Sequence, residues 1–135
     1  MITKKDLYDL AKSRFDEAKI LQVNNKPEGA IYLCGYALEL ILKRKIVEVL
    51  DWDGYPDTDP EFKGLGSFKV HDLEKLLILA GLEKKMRADN DIWAKWQIAS
   101  VWDSEMRYKP IGKMSDAEAL VVIEATRQVI NFILG

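Results

Sequence analysis

Between residues 28 and 50 the chain carries a stretch that is apolar on nearly every side of a helix. Ala30, Ile31, Leu33, Cys34, Tyr36, Ala37, Leu38, Leu40, Ile41 and Leu42 fall on all faces when wound at about 100° per residue. A helix of this kind normally sits at the centre of a bundle with neighbours around it. The rest of the chain must therefore supply covering helices, and its periodicity does so. Residues 4–21 place Leu7, Leu10, Ala11, Phe15, Ala18 and Leu21 at helical spacing, and Asn24-Asn25-Lys26-Pro27 breaks the run before the central helix. His71-Asp72-Leu73 opens a short helix through Ala80, with Gly81 as its stop. A fourth helical region spans 82–106, bent or broken near Asp89-Asn90-Asp91 and ended by Lys109-Pro110-Ile111-Gly112. Ser115 followed by Glu118 is a capping box, and the helix it opens runs through Leu120, Val121, Ile123, Val129, Ile130 and Ile133. Strand alternation and internal repeats are absent. The expected fold is all-α: an antiparallel bundle of four long helices plus a short one, in a single domain over residues 1–135.

Residues 51–70 are the one long irregular segment, punctuated by Gly54, Pro56, Pro60, Gly64 and Gly66 and acidic at Asp51, Asp53, Asp57, Asp59 and Glu61. This spacing does not fit a calcium-binding loop, so the segment reads as solvated rather than as a weak cation site. The 20 Lys and Arg against 22 Asp and Glu give a net charge of −2, which argues against a broadly basic nucleic-acid binder. One Cys and one His cannot complete a structural zinc site or an internal disulfide, and no metal or cofactor is expected. Cys34 and His71 form the only conceivable nucleophilic pair. Cys34, on the all-apolar helix, reads as a small core residue whose burial disfavours the thiolate. No apolar run approaches the ~18 residues of a membrane span, and the charged N-terminal stretch lacks a signal-peptide core. A cytoplasmic location is the expectation.

Charges at positions where helical periodicity calls for apolar side chains are the informative residues. Glu39 and Lys43 share one stripe of the central helix, and Arg14 falls within the apolar face of the first. A desolvated charge costs several kcal/mol unless paired, so each should meet a partner inside the bundle or at an interface. An internal ion-pair lattice and a polar cleft both satisfy that demand. On the fourth helical region, Ile92, Trp96, Ala99, Trp102 and Met106 share one broad face, and Trp93 and Val101 sit off it. The second face is either covered by the 51–70 loop or forms a homodimer interface. Aromatics stacking single-stranded bases is a third option, although no accompanying basic groove is evident.

Three segments in order resemble the HEPN family of small all-α domains. Ala37-Leu38-Glu39-Leu40-Ile41-Leu42-Lys43-Arg44 resembles the family's central-helix pattern of a small residue, a Glu and a basic pair. Val70-His71-Asp72-Leu73-Glu74-Lys75-Leu76-Leu77 is similar to its His-Asp-Leu helix opening, and Met106-Arg107-Tyr108-Lys109-Pro110 to the Arg-Tyr-Pro that closes the penultimate helix. The resemblance covers nearly the whole chain and implies one of two functions. Many members are metal-independent endoribonucleases, often toxins, with an Arg followed four to six residues later by a His in a cleft shared by two protomers. Others accompany a minimal nucleotidyltransferase and serve nucleotide binding or assembly.

Arg107 matches the arginine, but Ile111, Gly112 and Lys113 occupy the positions where the His should follow. A lysine, protonated at neutral pH, cannot replace it as general base. His71 belongs to another motif, where a structural or helix-capping role competes with a catalytic one. The leading expectation is thus a non-catalytic HEPN-like module, homodimeric through the Trp93/Val101 face. It would bind a nucleotide, or a nucleotidyltransferase partner in a toxin–antitoxin-like setting, through Glu39, Lys43, Arg44 and Arg107. Arg107 would pair with Glu39, or the basic residues would hold a phosphate with Glu39 orienting them. The competing expectation is an RNA-cleaving toxin with a remodelled site of Arg107, Tyr108 and His71. A purely structural partner subunit is the third.

Overall fold

The computed structural model describes residues 1–101, 112 and 114–135. Among these residues the fold is all-α apart from one short two-stranded sheet. Strand β1 (Ile2–Thr3) leads into α1 (Lys4–Val23), followed by α2 (Pro27–Leu50), β2 (Gly54–Tyr55), a single 3-10 turn (Gly66–Phe68), α3 (Leu73–Leu79), α4 (Glu83–Arg87), α5 (Asn90–Ala99) and α6 (Asp116–Leu134). Helix α2 is the centre that its composition demands: α1, α3 and α6 all pack on it, and α5 packs on α6. Its run from Ala37 to Leu42 is buried without interruption, Glu39 included.

Helix boundaries follow local chemistry. The side chains of Thr3, Asp72, Asp89 and Ser115 each accept a hydrogen bond from the backbone N–H three residues on, which satisfies a donor the helix cannot. Pro27 opens α2, where its missing N–H costs nothing. Gly81, at φ +73°, closes α3: its N–H donates to the Ile78 carbonyl and the Leu82 N–H to that of Leu77, the paired bonds of a Schellman motif. The helical region from residue 82 is broken at Asp89, where the sequence places the bend or break, into α4 and α5; the expected stretch beyond Val101, with Trp102 and Met106, lies outside the described residues.

Two apolar clusters meet along α2. The smaller gathers Ala18, Ala30, Ile31, Cys34, Ala119, Val122 and Ile123 from α1, α2 and α6. The larger joins the C-terminal half of α2 to α3, α4, α5 and the end of α6, with Trp96 among its largest buried side chains. Ile92, Trp96 and Ala99 are buried on one face of α5, as the wheel requires.

The expectation of no strand needs correction. Ile2 pairs with Tyr55 and Thr3 with Gly54 in an antiparallel ladder that ties the start of α1 to the loop after α2. The 51–70 segment is not wholly solvated either: Gly54, Tyr55 and Pro56 are buried, and Trp52 packs edge-on against Tyr55 and Phe68 with ring centroids 6.4 and 4.9 Å away. The acidic residues face water while the interspersed aromatics turn inward, so apolar content decided the path that charge and Gly/Pro content had obscured. Arg14 also differs from expectation. Its partner is Glu17 on its own helix, at 3.3 Å through Nη1, while its Nε stays buried with no hydrogen-bond partner among the described residues.

Candidate functional site

Glu39 sits on α2 one turn before Lys43, and α2 is covered there by the loop and by the start of α3. Burial leaves the carboxylate 4% exposed. A charge so placed must be neutralised, and Oε2 meets two groups: Nζ of Lys43 at 3.2 Å, donating from the next turn, and Nδ1 of His71 at 3.3 Å, from the residue before the α3 cap. Lys43 is itself nearly buried, with its ammonium 5.2 Å from the centre of the Tyr55 ring. Tyr55 arrives from β2, and its hydroxyl donates to the Phe68 carbonyl, holding the loop over the pair. Burial, with the Glu39 charge adding to it, pushes the Tyr55 phenol up to about 12.

His71 is different in kind: its side chain is 72% exposed although one ring nitrogen rests on a buried carboxylate. Asp72, not His71, caps α3. The imidazole is therefore free of the capping role and stands at the surface over the buried Glu39 carboxylate. The structure brings Glu39, Lys43 and His71 together. It sends Arg44 elsewhere, to Glu48 on its own helix and to within 5.7 Å of the Tyr8 ring centre on α1. Two consecutive residues on a helix point about 100° apart, so Lys43 and Arg44 cannot both serve Glu39. Arg107 and Tyr108 lie outside the described residues.

Trp93 and Val101 have different surroundings. The Trp93 ring is half-buried against the larger core, with the Arg87 guanidinium stacked 4.3 Å from its centre. Val101, half-exposed, lines a shallow apolar groove of about 590 Å³ between α5 and α6, with Val121 on the facing helix. Cys34 lies in the smaller core, where burial pushes its thiol up to about 12 and removes it from nucleophilic chemistry at neutral pH.

No family model, curated protein or solved structure matches this chain.

Among the described residues no three His, Cys, Asp or Glu side chains gather to hold a metal ion, and no helix is long and apolar enough to cross a membrane. One feature escaped the sequence reading. Tyr55 was hidden in a segment that looked solvated, and the signal that marks it is an aromatic side chain between Gly54 and Pro56, with Trp52, Phe62 and Phe68 nearby in sequence. A second is a groove between α1 and α6 that combines aromatic rings with Lys12, Lys19 and Arg127. Its existence depends on which faces of two distant helices meet.

Proposed function

We propose that the chain is a HEPN-type four-helix module that binds a nucleotide phosphate, or a minimal nucleotidyltransferase subunit, and does not cleave RNA. The observation that carries this reading is the anchored but exposed imidazole of His71. A ring held through Nδ1 by a buried carboxylate keeps its other edge toward solvent at a fixed position, and as the imidazolium it offers Nε2–H as a preoriented donor that suits an anionic oxygen. The three HEPN-like segments support the assignment, because two of them, at Glu39–Lys43 and at His71, meet in space. The third segment supplies Arg107, which this reading assigns to the same phosphate in a homodimer like those of the family. Absence of catalysis follows from Ile111, Gly112 and Lys113 standing where the family's ribonucleases carry histidine. Following the His71 imidazole signals by NMR during titration with ATP tests the reading. A saturable shift that disappears in Arg107→Ala is expected. Unmoved signals, together with no comigration with a coexpressed minimal nucleotidyltransferase, would overturn it.

The same geometry favours one second reading. Glu39 orients His71 as a carboxylate orients a catalytic histidine, leaving Nε2 outward. In this reading that imidazole would take the proton of an RNA 2′-hydroxyl as general base, with Arg107 and Tyr108 as the remaining candidate residues of the motif. Growth arrest and RNA cleavage on expression, lost in both His71→Ala and Arg107→Ala, would establish this activity in place of the binding module.

A further inference from the structure

The groove between α1 and α6 is the most chemically defined concavity on the described surface, and the Glu39–His71 site plays no part in it. Ile41 contributes to its floor, and Ile41 lies about 200° around α2 from Glu39, so the two features open on opposite sides of the central helix. The groove encloses about 240 Å³, below the ~300–1,000 Å³ of most organic-ligand sites. That size admits one small molecule and excludes a helix or a folded partner.

Three observations define what it would take. The floor is apolar, from Ala11 and Ile41 with Ile130 alongside. Cations dominate the rim: Lys12, Lys19 and Arg127 against the single carboxylate of Asp16, which Lys19 meets at 3.2 Å. The Phe15 ring gathers two of these cations from different helices, with Lys19 Nζ 5.4 Å and Arg127 Cζ 5.8 Å from its centre. Arg127 also reaches Glu124 at 3.1 Å, on its own helix. Lys12 has no partner among the described residues, nor does the side-chain amide of Asn131. Seven residues along each helix, roughly 10 Å, separate this cationic end at Phe15 and Arg127 from the other end at Tyr8 and Leu134. Tyr8 there is partly exposed, and its ring already carries the Arg44 guanidinium of α2, 5.7 Å from its centre.

We infer that this groove binds a small phosphate monoester carried on a planar aromatic body, no larger than a single nucleoside monophosphate. The phosphate sits among Lys12, Lys19 and Arg127, where charge-assisted hydrogen bonds replace its water. The planar body lies on the apolar floor toward Tyr8, with the Asn131 amide offering a donor and an acceptor to its edge.

Titration of the full chain with AMP, adenosine and inorganic phosphate, followed by NMR, tests the assignment. Shifts at Lys12, Phe15 and Asn131 with AMP are expected, with adenosine and phosphate each binding at least tenfold more weakly. Lys12→Ala and Arg127→Gln should each weaken AMP about tenfold while leaving the spectrum folded, and affinity should fall as salt rises. His71→Ala should leave AMP binding in the groove unchanged, so failure of the Glu39–His71 reading and failure of this one are separately visible. Equal affinity for adenosine or for phosphate alone, stronger binding of a short RNA than of AMP, or no groove shifts at millimolar AMP would each overturn it.

Discussion

Lys43 and His71 approach the same oxygen of Glu39, yet burial assigns them unequal roles. Lys43 is 12% exposed and His71 72%. Removing Lys43 leaves a buried carboxylate short of its main counter-charge, so Lys43→Ala should lower stability by about 3 kcal/mol. His71→Ala, losing a contact made mostly in water, should cost less than about 1 kcal/mol. Urea denaturation of the two variants measures the difference, and equal losses would contradict the burial argument. Alkaline pH probes two other residues. Burial raises Cys34 from 9.0, and Tyr55 from 10.0, to about 12 in each case. Between those values the unfolded chain has released protons that the native one retains, so the native state loses stability as pH rises from about 9 to 12. The urea midpoint should fall across that window, and Tyr55→Phe should remove the part of the fall that begins near pH 10. Glu39 and Lys43 stood out in the sequence because two charges interrupted an apolar helix. Nothing local marked His71 as their neighbour, since 32 residues separate it from Glu39.

At the scale of elements, most boundaries were legible because caps are local. Ser115, Asp89 and Gly81 act within three or four residues of themselves, and each ends or begins a helix where the sequence indicates. Ser115→Ala should cost about 1 kcal/mol, from loss of the hydroxyl that accepts the Glu118 N–H. Gly81→Ala should cost a similar amount, about 1 kcal/mol, because a side chain is strained at positive φ. Asp51 ends α2 at φ 52°, a conformation uncommon for a residue with a Cβ, and Asp51→Gly is expected to be neutral or stabilising by up to about 1 kcal/mol. Thermal melts rank all three, and a destabilised Asp51→Gly would show that the aspartate side chain holds the turn. Strands β1 and β2 were not legible. Two residues are too few for alternation to register, and each strand exists only because the other lies beside it.

For the whole molecule, the β1–β2 contact fastens the residues before α1 to the loop that covers the Glu39–Lys43 pair. A Cβ at Gly54 would lie 2.7 Å from the Ile2 backbone oxygen, which neither strand can relieve without separating. Gly54→Ala should therefore release both strands together. Hydrogen exchange should report faster exchange at Ile2, Thr3 and Tyr55, with the amides of α6 unaffected. Protection retained across β1 would show that the ladder is not held by this close approach.

The sequence by itself determined the helical class, the central place of α2 and most helix ends, because periodicity and capping operate over a turn or two of chain. It also determined that Glu39 had to be neutralised, since a lone carboxylate among apolar side chains cannot remain in a core. Helix periodicity already put Lys43 beside it and turned Arg44 away, and only the tertiary structure decided that His71 joins them. It alone set Lys12 and Phe15 opposite Arg127 and Asn131. Each of those helices carries half of a groove at unremarkable spacing, and the chemistry appears only when two faces more than 100 residues apart in the chain are packed against one another.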